Sequence, residues 1–244
     1  MDITVLGYWG GYPYQGEGTT SYLVQSNDFS LLLDAGSTTL VRLEEKLDPL
    51  TLDAVLLTHY HHDHMADLGV LQYLRQLKPT KPVEELLIYG HTENMEKFNE
   101  LTMTGISKGI AYHETQELEL GPFLITFKRT IHPVPCFATR IVEKSTGKVF
   151  VFTADTGYLE GLSDFCQEAD LLITDTYFLE GNEHHKAHLT TKETGELAKQ
   201  ANVKQVIISH LNQSLDLDEV LKQTQYYAGD IPIQLAKINL NKTL

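Results

Sequence analysis

The chain of 244 residues lacks several features that mark particular classes of protein. It has two cysteines, Cys136 and Cys166, too few for a disulfide framework and without the C-x-x-C spacing of a cysteine metal site. No apolar run approaches the roughly 20 residues that a membrane-spanning helix needs. The start, "MDITVLGYWG", has neither the basic nor the long apolar segment of a secretory signal peptide. We therefore expect a cytoplasmic protein with no membrane partner.

Positive charge is also scarce in this chain. It contains 19 Lys and Arg residues against 33 Asp and Glu residues, a formal net charge of −14. Long nucleic acids and anionic membranes bind through clustered Lys and Arg, so we expect neither as a partner. A small anionic substrate in a locally positive pocket is compatible with the composition.

Strand-like and helix-like segments alternate in both halves of the sequence. The short apolar run "DAVLLTH" predicts a buried strand, and "MADLGVLQYLRQL" has the spacing of an amphipathic helix. In the centre, "FLITFKRT", "FATRIVE" and "GKVFVFTADTG" are consecutive strand candidates separated by turn residues. Two sheets packed face to face with helices outside would accommodate this order, which indicates an α/β fold.

Histidine is concentrated in the segment from Leu56 to Leu68, "LLTHYHHDHMADL". A strand that ends in a tight turn can direct His59 and His61 to one point. Asp63 and His64, at the entry to the next helix, can be directed to an adjacent point. Imidazole and carboxylate groups are good ligands for zinc and similar ions. Two groups of ligands offset by a turn predict two metal ions a few ångströms apart.

Further residues of the same types follow later strands. His132 comes after "FLITFKRT", Asp155 after "VFVFTA", and His210 after "VKQVIIS". Functional residues collect where strands end in loops, so we expect these side chains to complete the metal site.

This pattern, H-x-H-x-D-H after an apolar strand with a later His, Asp and His, resembles the metallo-β-lactamase superfamily. Asp34 and Gly36 in "LLLDAGS" match its Asp-x-Gly. The resemblance covers nearly the whole chain and implies one domain over residues 1–244 with the four-layer αββα sandwich fold. It implies that Zn²⁺, with Mn²⁺ and Fe as alternatives, is held at two positions: a first by His59, His61 and His132, a second by Asp63, His64 and His210, with Asp155 between them.

A second pair of residues resembles the ribonuclease Z-like branch of that superfamily. There, a Glu at a strand end pairs with a His in a motif close to "AHLT"; here Asp175 and His188 occupy these positions. Thr190 or Thr191 would cap the following helix. Ribonuclease Z proper also carries a long arm that grips transfer RNA, inserted between the third metal histidine and the bridging aspartate. Residues 133–154 are too few for an arm, so maturation of transfer RNA is not expected.

These observations favour a phosphodiesterase that acts on a small phosphodiester or nucleotide. Two divalent cations would make water a hydroxide nucleophile near pH 7, Asp63 would orient it or take its proton, and His188, oriented by Asp175, would protonate the leaving group. A lactone, ester or thioester hydrolase on the same dinuclear site is the alternative, and a metal-holding scaffold without activity is a third reading. Oligomeric state stays open, with a homodimer as one option.

Four aromatic residues near the first hairpin, Tyr8, Trp9, Tyr12 and Tyr14, have two explanations. They could form a hydrophobic flap of the core, which we favour, or a surface that stacks a base over the metal site.

Overall fold

The computed structural model of the chain describes residues 1–78 and 83–244. Its internal contacts divide the chain into two compact units. Unit 1 comprises Met1–His113 and Lys237–Thr243, and unit 2 comprises Glu114–Ala236 and Leu244. No helix among the described residues is long and apolar enough to cross a membrane.

Unit 1 is built on one mixed sheet. Its strands are β1 (Asp2–Gly7), β2 (Ser21–Ser26), β3 (Phe29–Leu33), β4 (Ala54–Leu56), β5 (Leu86–His91), β6 (Ser107–Tyr112) and, from the C-terminus, β14 (Asn241–Thr243). Its helices are α1 (Thr39–Glu44), α2 (His62–Met65), α3 (Leu68–Leu77) and α4 (Met95–Glu100). The described strands lie in the order β14-β1-β2-β3-β4-β5-β6, antiparallel up to β3 and parallel from β3 to β6.

Unit 2 has a sheet of the same kind. Its strands are β7 (Leu118–Leu120), β8 (Phe123–Arg129), β9 (Phe137–Glu143), β10 (Val149–Phe152), β11 (Leu171–Asp175), β12 (Val206–Ser209) and β13 (Ile233–Leu235). Its helices are α5 (Leu162–Cys166), α6 (Thr191–Gln200) and α7 (Leu217–Ala228). Strands β7 to β10 form an antiparallel meander, and β10 to β13 run parallel.

Hydrophobic periodicity explains these elements. In β8 the buried residues Phe123, Ile125 and Phe127 alternate with half-buried ones, the period-2 pattern of a strand. In α3, Leu68 and Leu71 are buried in a core cluster that also contains Leu32 of β3. Helix α3 therefore packs its apolar side on the unit 1 sheet.

One predicted helix differs from the structure. The segment "MADLGVLQYLRQL" forms α3 only from Leu68 onward, and Asp63 and His64 lie in the separate short helix α2. The backbone N–H of Asp67 bonds to the carbonyl of Ala35 at 3.0 Å instead of continuing α2. This contact between residues distant in sequence thus ends α2 and fixes the direction of the segment that carries the candidate ligands.

Candidate metal centre

The parallel strands of unit 1 deliver its candidate ligands at their carboxyl ends. His59 lies three residues beyond β4 and is fully buried. Its Nε2 lies 3.2 Å from Nδ1 of His61. Two ligand atoms on one tetrahedral zinc ion are separated by about 3.3 Å, since each lies about 2.0–2.1 Å from the metal. The spacing of this pair therefore fits a shared ion.

Helix α2 holds the next two candidates. Nε2 of His64 lies 3.7 Å from Oδ2 of Asp63. The same Asp63 oxygen accepts a hydrogen bond of 2.7 Å from the backbone N–H of Gly11. His62, the remaining histidine of the cluster, is exposed on this helix.

Asp34 orients two imidazoles of unit 1, those of His64 and His59. The carboxylate is fully buried, lies 2.8 Å from Nδ1 of His64 and accepts two bonds of 2.8 Å from the N–H and hydroxyl of Thr58. The Thr58 hydroxyl lies 3.1 Å from Nδ1 of His59. Burial raises the pKa of Asp34, although His64 and Thr58 oppose the shift. Both histidines thereby direct Nε2 away from the carboxylate, the usual arrangement behind metal ligands.

Unit 2 brings together its own three candidates, each just beyond a strand. Oδ2 of Asp155 lies 3.3 Å from Nε2 of His210 and 3.8 Å from Nε2 of His132. Nδ1 of His132 donates to the carbonyl of Ala187 at 3.1 Å, which leaves Nε2 as the nitrogen with a lone pair. A carboxylate oxygen that lies close to a nitrogen of each of two imidazoles suits a bridging ligand.

Asp175, at the end of β11, contacts two histidines. Its Oδ2 lies 2.8 Å from Nδ1 of His188, and its Oδ1 lies 3.4 Å from Nδ1 of His210. The N–H of Thr156 also donates to Oδ2 at 3.1 Å. Asp175, His188, His210 and Asp155 each offer a ligand atom within 4.8 Å of the others. His188 is partly exposed, whereas Asp175 is fully buried.

The sequence indicated the candidate ligands together with Asp34, Asp175 and His188, but it missed Thr58 and several of the contacts between these side chains. It paired Asp175 with His188 and missed that Asp175 also contacts His210. It named Asp34 but assigned it no contact. Asp34 directly follows β3, which pairs with β4, and this position is a signal for contact with the histidine segment that follows β4. The bond from Gly11 to Asp63 had no sequence signal, because loop conformation decides it.

Comparisons find similar proteins along almost the whole chain. Residues 14–210 match the family described as the metallo-beta-lactamase superfamily. Over 237 residues the chain is 44% identical to the probable metallo-hydrolase YhfI of Bacillus subtilis strain 168, with 96% of each chain covered. A crystal structure of the metallo-beta-lactamase fold protein YhfI is similar at a TM-score of 0.94 and 38% identity, over 99% of this chain and 98% of that one.

Two less similar proteins are named for other activities. Ribonuclease Z of Bacillus cereus strain G9842 is 23% identical over 292 residues, covering 92% of this chain and 94% of its own. A solved diphosphatase from the PhnP family has a TM-score of 0.80 at 18% identity, over 100% of this chain and 97% of that one, and at this identity it shows the fold alone. The predicted fold is confirmed by the likeness to YhfI, and the chain belongs to the metallo-β-lactamase superfamily.

Proposed function

We propose that the protein is a metal-dependent hydrolase that cleaves small phosphodiesters. Its relative YhfI is named a probable metallo-hydrolase. Two further similar proteins are named as a ribonuclease and a diphosphatase, and both names describe cleavage at phosphorus. These names support hydrolysis as the reaction class and phosphorus as the centre that is attacked.

We assign the metal positions by the superfamily pattern. One divalent ion would be held by His59, His61 and His132, a second by Asp63, His64 and His210, and Asp155 would bridge them. The donor set fits such ions for two reasons. Ligand atoms within each unit lie 3.2–3.8 Å apart, and buried carboxylates contact the imidazoles. When bound, such ions lower the pKa of water and stabilise charge on phosphoryl oxygens. Zn²⁺ suits this N/O set, and Mn²⁺ and Fe are alternatives.

The observation that favours phosphodiesters is the pair of Asp175 and His188. The 2.8 Å contact fixes Nδ1 of His188 on the carboxylate, so Nε2 is the atom that can carry a proton to substrate. Alkoxide leaving groups need such a donor because they are strong bases. Thioesters have a smaller need for it, since a thiolate leaves without protonation. A lactone also expels an alkoxide, so the preference over lactones rests on the resemblance of this pair to the ribonuclease Z-like branch.

In the proposed reaction, Asp63 accepts a proton as a water oxygen bonds to phosphorus. The bond between phosphorus and the leaving oxygen breaks, and that oxygen takes the proton from Nε2 of His188. The hydrogen bond from Gly11 holds one Asp63 oxygen in place during this transfer. Asp175 stabilises the protonated imidazole before the proton leaves.

A substrate panel tests the proposal. Purified protein with added Zn²⁺ or Mn²⁺ is given bis-p-nitrophenyl phosphate, a homoserine lactone and a thioester, and Asp155→Ala serves as the control for contaminating enzymes. We expect hydrolysis of the phosphodiester, abolished in the variant. Hydrolysis of only the carbonyl substrates would favour the alternative carbonyl hydrolase, and no hydrolysis of any would favour a non-enzymatic metal scaffold.

A further inference from the structure

The segment of residues 8–18, which we call the aromatic loop, divides its aromatic side chains into two classes. Tyr8 and Trp9 are buried, with 6% and 5% of their surface exposed. Tyr12 and Tyr14 expose 54% and 38%. Burial is the ordinary state of large aromatic rings, so the first pair needs no further explanation. The exposed pair stands three residues or fewer from Gly11.

The aromatic loop has a defined backbone. Tyr14 and Glu17 exchange two backbone hydrogen bonds of 2.9 and 3.0 Å, and the Tyr8 hydroxyl donates to the carboxylate of Glu17. The ring of Trp9 packs edge-on against Tyr14 at 5.5 Å between centroids. The exposed tyrosines are therefore presented on a turn that is closed by hydrogen bonds and anchored by buried rings.

The aromatic loop also contacts the candidate metal centre directly. The Gly11 N–H donates to Oδ2 of Asp63 at 2.7 Å, and Gly11 has φ of +73°, a conformation that glycine adopts readily. Tyr12 is the next residue, so its Cα lies about 3.8 Å from that of Gly11. The exposed Tyr12 thus directly follows the residue whose N–H binds Asp63, the group that we propose as the base.

We propose that Tyr12 and Tyr14 bind the nucleobase of a single-nucleotide substrate whose phosphate is held beside Asp63; this rests on the proposed phosphodiesterase function and adds its substrate class. Flat aromatic side chains stack on any base, whatever its identity. The acidic composition disfavours long polynucleotides, so a mononucleotide ester fits better than RNA. Both sequence explanations of the four aromatic residues then hold, with Tyr8 and Trp9 in the core and Tyr12 and Tyr14 at the substrate.

Trp9 is the single tryptophan of the chain and lies against Tyr14, so its fluorescence reports ligand binding in the aromatic loop. Zn²⁺-loaded protein is titrated with adenosine 5′-monophosphate and with ribose 5-phosphate, which has the same phosphate but no base. Isothermal calorimetry gives the same constants independently of the fluorophore. We expect the nucleotide to bind at least about 10-fold more tightly, equivalent to about 1.4 kcal/mol and within the range of one base stack.

Variants distinguish stacking of the base on Tyr12 from a general effect of removing a tyrosine. Tyr12→Ala should lose most of the difference between the two ligands, and Tyr12→Phe, which keeps the ring, should retain it. Tyr73→Ala is the matched control, because Tyr73 is 57% exposed on α3 and has no place in the proposed site. Equal affinity for the two ligands in the unmodified protein, or an unchanged difference in Tyr12→Ala, would overturn the inference.

Hydrolysis of bis-p-nitrophenyl phosphate, measured on the same samples, tests the proposed function separately. Turnover without preference for the base would refute the inference alone. Preference for the base without turnover of any phosphodiester would support nucleobase binding by the aromatic loop, but it would refute the proposed function and with it the assignment of the nucleotide as a substrate.

Discussion

Two fully buried carboxylates orient four imidazoles in this protein. Asp34 contacts His64 directly and His59 through the hydroxyl of Thr58. Asp175 contacts both His188 and His210. Each carboxylate therefore fixes the ring nitrogen that faces away from it, which determines where a ligand atom or a proton is presented.

The role of His188 can be tested by the basicity of the leaving group. His188→Ala should lower turnover about 10²–10⁴-fold on an alkyl phosphodiester, because its alkoxide needs a proton. The loss on bis-p-nitrophenyl phosphate should be much smaller, since nitrophenolate leaves unprotonated. Steady-state kinetics with both substrates measure this, with the exposed His113→Ala as control. Equal losses on both substrates would contradict a proton-donor role.

The role of Asp34 can be tested by metal affinity. Asp34→Asn removes the charge that holds His64 and Thr58, and loss of such a partner weakens metal binding by about 10–100-fold. Competition with a chromophoric chelator measures the affinity. Asp53→Asn is a matched control, because Asp53 also accepts a bond from a backbone N–H, that of Ser30, but lies at the start of β4, whereas Asp34 lies at the end of β3. Unchanged affinity in Asp34→Asn would show that the carboxylate only stabilises the fold.

At the scale of elements, two Asp-x-Gly turns occupy corresponding places in the two sheets. One, Asp34 to Gly36, follows β3, and the other, Asp155 to Gly157, follows β10. A Cβ atom on Gly36 would lie 2.3 Å from the carbonyl oxygen of Asp63, and one on Gly157 would lie 1.9 Å from that of His185. Glycine is thus required in both turns so that a ligand-bearing segment can pack against them.

Helix α6 begins at a capping box that also supports the segment before it. Oγ1 of Thr190 accepts from the N–H of Glu193 at 3.1 Å, and the Glu193 carboxylate accepts from the N–H groups of Thr190 and His184. Thr190→Ala should lower the free energy of unfolding by about 1 kcal/mol, while Thr190→Ser, which keeps the capping hydroxyl, should retain most of that contribution. Urea denaturation followed by circular dichroism measures both. Equal stability of all three proteins would show that the cap contributes nothing.

Elements were predictable from sequence where local pattern decides them. The apolar runs that end at His59, Asp155 and His210 marked strands and placed the ligands at their carboxyl ends. Strand β14 was missed because its three residues, Asn241–Thr243, have no apolar pattern and pair with β1 from the far end of the chain. The break between α2 and α3 was missed because the contact of Asp67 with Ala35 is tertiary.

At the scale of the molecule, charge restricts the range of partners. A net charge of −14 repels polyanions, and only residues 133–154 separate His132 from Asp155, too few for an RNA-binding arm. We predict no saturable binding of transfer RNA below about 100 µM at physiological salt, measured by fluorescence anisotropy. Tight binding that weakens steeply with added salt would contradict this and would favour an RNA substrate.

The composition does not determine which metal binds or how many ions bind, because His and Asp side chains accept several kinds of ion. The pattern of ligands predicts two ions per chain, and the account depends on this number more than on any other. Purified protein is loaded with Zn²⁺, desalted and analysed by inductively coupled plasma mass spectrometry, with His210→Ala in parallel. We predict about two zinc ions per chain, and no more than one in the variant. A protein that retains no zinc, or a variant that retains as much as the unmodified chain, would contradict the account.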